Sequence, residues 1–333
     1  MILVNLFHIK ATNGLFYYGL DYVKNNLDLV HKVLVRPELT HQVKDALPYI
    51  EVIACSNLRF LFEVIQACCN RNLLYTPTSH PLPLLDRQWI VLHDAYPFEV
   101  GPWSRLKRLL LKWSLAMSRC RVAYINRSEA QPFVASLGVT AQRMVFAPNR
   151  FPEPARRVSP VSSPNGITTV GLLGTDSAKK NYDRFFSGVR ATELSSLLAF
   201  RVYGHDTAYF RDIRGKFPDI RIELVRSDDE SIDEFMSGVD VLASASEHEG
   251  FGRPFASALL AGLPVELLDR PVFREFFTGG ARFHPDIDAL VQSLPRLGDS
   301  RLSHVSYTAP AEVVDAYAMA NEEIRRLGSM ALR

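Results

Sequence analysis

Short apolar runs alternate with stretches of helical spacing along most of this chain, and that alternation predicts mostly parallel sheet covered on both faces. In the N-terminal half, residues 1–9 predict a first strand, and the turn Thr12-Asn13-Gly14 leads toward a helix over 18–24. Further strands are predicted at 32–35, 49–54, 89–92, 122–125 and 144–147. The rhythm then breaks. Residues 152–166 crowd proline and serine together, a composition that cannot hold a sheet register and predicts a linker. Alternation restarts with strands at 168–173, 199–203, 220–224, 239–243 and 264–267. Residues 311–333 predict a polar-faced helix that packs back on the first domain. The expected architecture is therefore α/β: one Rossmann-like domain over 1–151, the linker, a second over 167–308, and a terminal helical segment over 309–333. Such a pair leaves a cleft at the strand C-termini, where open α/β sheets bind ligands.

Composition narrows the possibilities. Of 333 residues 47% are hydrophobic and 22% charged, and the formal net charge is only +2. A nucleic-acid-binding protein would show a strong basic excess, so none is expected as a partner. No run approaches the roughly 18 apolar residues that span a bilayer. The opening MILVNLFHIK is short and lacks a small-residue cleavage pattern, which predicts a core strand and not a signal peptide. Cys55, Cys68, Cys69 and Cys120 show no C-x-x-C spacing and read as buried thiols of a cytoplasmic protein.

Residues 103–121 contain no acidic residue. On a helical wheel Arg105, Arg108, Lys112 and Arg119 share one face, while Leu106, Leu109, Leu110, Trp113 and Met117 share another. The apolar stripe predicts core packing. The basic stripe fits either a solvated face or docking on anionic lipid, which would make the protein peripheral on the inner face of the cell membrane.

Residues 246–265, SEHEGFGRPFASALLAGLPV, follow the strand at 239–243 and end in helical spacing. Gly250 and Gly252 remove side chains where a ligand must approach backbone. The following helix would aim N–H groups and its positive dipole end at an anion, and Arg253 adds a charge there. Physics alone predicts an anion site.

The same segment resembles the E-x7-E region of retaining glycosyltransferase family 4, which reads EGFG-x-P-x-x-E-A followed by G-x-P-V. Glu249 stands at the first glutamate. Asp269-Arg270-Pro271-Val272-Phe273-Arg274-Glu275 and 280–283 are similar to the family's next block, and Gly174-Thr175 through Lys180-Asn181 to its G-T/R-x4-K-N/G stretch. Leu92-His93-Asp94-Ala95-Tyr96-Pro97 resembles its H-D/E-x-x-P segment, and 127–149 the helix and strand before the linker. The likeness runs from about residue 89 to about 286; the first eighty residues match only in general architecture. It implies the GT-B fold and transfer of a sugar, with retention, from a nucleoside diphosphate to a glycan or lipid-linked acceptor, in assembly of lipopolysaccharide or capsule.

Roles follow from that resemblance. Lys180 would meet the diphosphate, with Thr175, the Gly250-Phe251-Gly252 backbone and Arg253 completing the donor site. Glu249 would hold donor-sugar hydroxyls, His93 the transferred sugar or its phosphate, and Asp94 would face the acceptor. Asn13 and Gly14 occupy the family's acceptor-side loop, reduced here to one glycine. Two departures stand out: the second glutamate of E-x7-E is Ser257, and the arginine often found at Thr175 is absent. A hydroxyl cannot replace a bidentate carboxylate on ribose, which points to a dTDP-sugar, with a GDP-sugar as the other reading. No cofactor and no metal are expected, because Asp286-Ile287-Asp288 lies in a downstream turn away from the phosphates. The rival readings are a catalytically silent GT-B binding or partner protein and a nucleotide-sugar epimerase on a similar fold.

Overall fold

The computed structural model describes residues 1–153, 166–192, 194–297 and 306–330, so the predicted linker lies almost wholly outside the described residues. The chain divides into two compact units: Met1–Arg150 with Ala311–Arg333, and Phe151–Pro310.

The first unit is built on a seven-stranded parallel sheet. Its strands are β1 (Ile2–Asn5), β2 (Val30–Val35), β3 (Glu51–Ala54), β4 (Leu73–Thr76), β5 (Gln88–Leu92), β6 (Arg121–Tyr124) and β7 (Met144–Phe146), in the spatial order 3-2-1-4-5-6-7. Between them run α1 (Gly14–Lys24), α2 (Thr40–Ala46), α3 (Asn57–Cys69), α4 (Tyr96–Glu99), α5 (Ser104–Ala116) and α6 (Ala130–Ser136). Every residue of β1, β4 and β5 is buried, as expected for parallel strands covered on both faces. The apolar run at 1–9 stops being a strand at Asn5, because the Phe7 amide donates to the Asn5 side chain and the Ile9 amide to the Leu6 carbonyl, which turns the chain. Asn13 then caps α1 by accepting from the amides of Leu15 and Phe16, so the helix starts a turn earlier than the apolar spacing predicts. Strand β4, which the sequence reading missed, fills the centre of the sheet between β1 and β5.

Helix α5 corrects one expectation. Its core side is Ser104, Leu111 and Leu115, and the stripe from Leu106 to Met117 faces outward, with Leu109 64% and Trp113 53% exposed. At about 100° per residue the stripe centres roughly 160° from the buried arc, nearly opposite it, and Arg105, Arg108 and Lys112 lie between the two. The stripe is therefore not core. The cysteines also divide: Cys55 and Cys120 are buried, whereas Cys68 and Cys69 are exposed at the end of α3.

The second unit repeats the plan with β8 (Thr168–Leu173), β9 (Leu198–Gly204), β10 (Ile222–Arg226), β11 (Val241–Ser244), β12 (Val265–Leu268) and β13 (Arg282–His284). Its helices are α7 (Tyr182–Ala191), α8 (Ala208–Lys216), α9 (Ile232–Ser237), α10 (Arg253–Leu260), α11 (Pro271–Phe277) and α12 (Ile287–Ser293). The order β10-β9-β8-β11-β12-β13 is the doubly wound Rossmann order, with its switch point between β8 and β11. Phe185, Phe186, Phe200 and Phe210 fill one side of this sheet. Asp286 of the D-x-D caps α12 by accepting from the Ala289 amide, so the motif opens a helix instead of sitting in an open turn.

The last helix, α13 (Ala311–Ser329), belongs to the first unit. The Met1 ammonium donates to the Gly328 carbonyl at 2.7 Å, Arg325 pairs with Asp28 at 2.7 Å, and Gly328 lets the helix approach Ile2. Among the described residues no helix is long and apolar enough to cross a membrane.

Candidate functional site

In the second unit the segments singled out from sequence converge on the switch point. Strand β8 is followed by Gly174, which needs a positive φ (+86°) and whose Cβ would stand 2.8 Å from Lys180 Cε. Asn181 follows Lys180 in a left-handed conformation and donates through Nδ2 to the Ala245 carbonyl just after β11, while the Tyr182 hydroxyl donates to the Gly174 carbonyl. These two bonds tie the start of α7 across the switch point. They set Lys180 Nζ 2.7 Å from Glu249 Oε1, with each side chain 16% exposed. Burial alone would raise the Glu249 pKa. The charges of Lys180 and Lys179 and hydrogen bonds from Lys180 and Ser246 outweigh it and hold the carboxyl below its ordinary value.

The glycine turn after Glu249 enters α10 through Gly252, at φ +92°, where a Cβ would meet the Phe255 ring at 2.7 Å. Pro254 has no N–H, and the Phe255 and Ala256 amides both donate to the Gly252 carbonyl. The helix thus offers fewer outward amides than its sequence implied. Phe251 is buried against Phe276, Phe277 and Phe151, so only its backbone can face a ligand. Thr175 is likewise turned inward: its hydroxyl donates to the His205 carbonyl at 2.7 Å, and Thr207 donates to its carbonyl. Ser257 lies one turn beyond Arg253 on the same side of α10, and both are half-buried. Two residues quoted within the sequence motifs were given no role there. Asn181 positions Lys180, and Arg270, just after β12, pairs with Glu247 at 3.4 Å while its Nε is buried without a hydrogen-bond partner.

The first unit has its own concavity at the corresponding place, beyond the C-terminal ends of β1, β4 and β5. A cavity of about 550 Å³ is lined there by His8, His80, His93, Asp94 and, from α5, Lys107 and Leu110. His93 Nε2 lies 3.0 Å from the Pro77 carbonyl and the ring meets Tyr18 edge-on. Burial lowers its pKa to about 4, so the ring is neutral at pH 7; donation to the carbonyl puts the proton on Nε2 and leaves Nδ1 an acceptor. His8 stacks on His80 with centroids 4.3 Å apart. Burial, the neighbouring imidazole and Arg36 lower His8 to about 4. Asn13 and Gly14 are exposed at the start of α1, whose Leu15 reaches the cavity; the Asn13 side-chain oxygen is engaged by the helix cap. Among the described residues no cluster of three or more His, Cys, Asp or Glu is placed to hold a metal ion.

Two parallel Rossmann-like sheets and a glycine turn at a switch point invite comparison with known proteins. No family model matches the chain. The crystal structure of Anabaena Alr3699/HepE in complex with UDP and glucose superposes with a TM-score of 0.71 over 99% of this chain and 98% of that one, at 16% identity. WaaG, a glycosyltransferase involved in lipopolysaccharide biosynthesis, superposes with a TM-score of 0.59 over 99% and 97%, also at 16% identity. The fold is GT-B. A sequence relative adds kinship to shape: the O-antigen chain mannosyltransferase RfbU of Salmonella typhimurium is 27% identical over 233 residues. That stretch is 67% of this chain and 64% of the relative, so the chain spans just under two thirds of the RfbU length. On the GT-B frame, Lys180, Glu249, Gly250, Gly252, Arg253 and Ser257 come from the second unit. His93, Asp94, Asn13 and Gly14 come from the first.

Proposed function

We propose that this protein is a retaining glycosyltransferase that moves a sugar from a nucleoside diphosphate to a glycan acceptor in cell-surface polysaccharide assembly. The Lys180–Glu249 pair at the β8/β11 switch point carries the reading, since it puts a largely buried ammonium where Rossmann-like sheets take their phosphates. As the glycosidic bond breaks, negative charge grows on the β-phosphate, and fixed positive groups lower that barrier. Lys180 exchanges Glu249 for the diphosphate, and Arg253 with the glycine-turn backbone completes the clamp. The freed Glu249 carboxylate accepts from donor-sugar hydroxyls. These cations do the work that a metal does elsewhere, so EDTA is expected to leave activity unchanged.

In the first unit the 550 Å³ cavity takes the acceptor. Neutral His93 accepts a sugar hydroxyl through Nδ1, and Asp94 orients the acceptor. The acceptor is lipid-linked, and the protein works at the cytoplasmic membrane surface, docked through residues 103–121 on anionic lipid. The exposed apolar stripe of α5 supports this part. Ser257 favours a dTDP-sugar over a ribonucleotide donor. Thermal-shift screening of UDP, GDP, dTDP and their sugars tests the assignment, since bound ligand stabilises the fold. If no nucleoside diphosphate raises the melting temperature, the reading fails. Ser257 and the inward Thr175 hydroxyl favour one second reading, a GT-B protein that holds a nucleotide without turnover; release of free sugar from a bound donor would exclude it.

A further inference from the structure

Two helices of the first unit turn apolar side chains outward, and they lie on the same side of its sheet. Register shows this. Leu3 pairs with Leu74, Leu74 with Gln88, and Ile90 with Val122. Side chains alternate along a strand, so Leu3, Leu74, Gln88, Ile90 and Val122 all point to one face. Helix α3 covers Leu3 and Leu74 with Phe60, Val64 and Ala67, and α5 covers Ile90 and Val122 with Leu111 and Leu115. Away from the sheet, α3 shows Leu58, Leu61, Phe62 and Ile65, each more than half exposed.

The gap between the helices is bridged by residues 82–85. The buried Gln88 side chain accepts from the Leu82 amide and donates to the carbonyls of Leu82 and Leu85, which clamps the segment to the same sheet face. The Leu84 amide donates to the Met117 carbonyl at the end of α5. Leu84 itself is held at φ +64° and is 76% exposed. A leucine in that conformation is strained, and here the strain presents an apolar side chain to the outside.

Charge selects what covers this surface. Segment 103–121 has no acidic residue. The one acid on α3, Glu63, turns inward between Arg59 (2.6 Å) and Lys32 (3.5 Å), and Asp86 accepts from the Arg119 amide. Arg105, Lys112 and Arg119 therefore border an apolar plane, and with Asp86 as the exposed carboxylate beside them the rim stays net positive. A second copy docked face to face would bring like charges together, whereas an anionic bilayer supplies both the apolar layer and the counter-charge.

We propose that α3, the 82–85 segment and α5 form one membrane-seating face, with α3 inserting alongside α5. The inference rests on the membrane-docking part of the function proposed above and widens it from one helix to a two-helix plane. Because Leu110 both lines the cavity and lies on this plane, an acceptor enters from the lipid surface.

Flotation on vesicles of equal parts phosphatidylethanolamine and phosphatidylglycerol, against pure phosphatidylcholine, tests it. Wild type is expected to float with the anionic vesicles only. Leu61→Glu/Ile65→Glu in α3 and Leu109→Glu/Trp113→Glu in α5 should each lower partitioning at least about tenfold, a change of about 1.4 kcal/mol. All four positions are at least half exposed, so folding is expected to survive, and a circular-dichroism melt checks it. An α3 variant that floats like wild type overturns the proposal. So does equal flotation on phosphatidylcholine, or a wild-type dimer in solution that the α3 substitutions dissociate. Stabilisation by nucleoside diphosphates reads the second unit separately: its loss in every protein, with flotation intact, sinks the glycosyltransferase reading and leaves the docking face standing.

Discussion

Replacing Glu249 by glutamine separates the two roles assigned to Lys180. In the wild-type protein the ammonium and carboxylate meet at 2.7 Å, each 16% exposed. A hydrogen bond between charged groups is worth about 1.5–3 kcal/mol, and the residual solvation puts this one near the lower end, about 2 kcal/mol. For a unit of this size that corresponds to a fall of about 4–8 °C in melting temperature. The Lys180→Met/Glu249→Gln double variant should lose about 1–2 kcal/mol less than the sum of the single changes, because the second substitution removes the stranded partner. The pH dependence follows from the lowered Glu249 pKa. The pair stabilises the fold above the ordinary carboxyl value of 4.5 and is lost as pH falls through the lower folded value, so wild type and Glu249→Gln should converge in acid. Adding a saturating nucleoside diphosphate supplies a new partner for the ammonium. The ligand-induced shift should then be largest in Glu249→Gln, intermediate in wild type and smallest in Lys180→Met, measured by scanning fluorimetry from pH 7 downward. Equal shifts in wild type and Lys180→Met would refute the idea that this lysine meets the phosphates.

Thr175→Val removes the bond to the His205 carbonyl and should cost about 1 kcal/mol of stability while leaving nucleotide affinity within about twofold, since the hydroxyl faces inward. A calorimetric titration showing a large affinity loss would return Thr175 to the donor site. Gly252→Ala places a Cβ against the Phe255 ring at a φ of +92°, and a loss of about 2–4 kcal/mol with weakened diphosphate binding is expected in denaturant unfolding. His93 should stay neutral far below its ordinary pKa of 6.5: the unfolded chain takes up the proton first, so stability is lost as pH falls from 6.5 toward about 4. An imidazole NMR titration that showed the His93 ring protonating near pH 6.5 would contradict its burial.

The pattern of apolar runs carried the two α/β halves, since a parallel strand buried on both faces reads as an unbroken run in any context. The glycine turn and Lys180-Asn181 were legible for a similar reason, as each depends on local backbone: a left-handed residue, a missing side chain, a helix start. What stayed hidden depended on partners far along the chain. Strand β4 is four residues beside a proline-rich loop, and it becomes the middle of a sheet only because β1 and β5 flank it. Thr175 and Phe251 sit inside matching motifs, yet His205 engages the Thr175 hydroxyl and the Phe276–Phe277 pair packs the Phe251 ring, contacts that no local pattern shows. The outward stripe of α5 looked like core because helical spacing reports that a helix has an apolar face, and only packing decides which face meets the sheet. Local sequence sets which groups a segment can offer; the long-range contacts that bury or release them set which it presents.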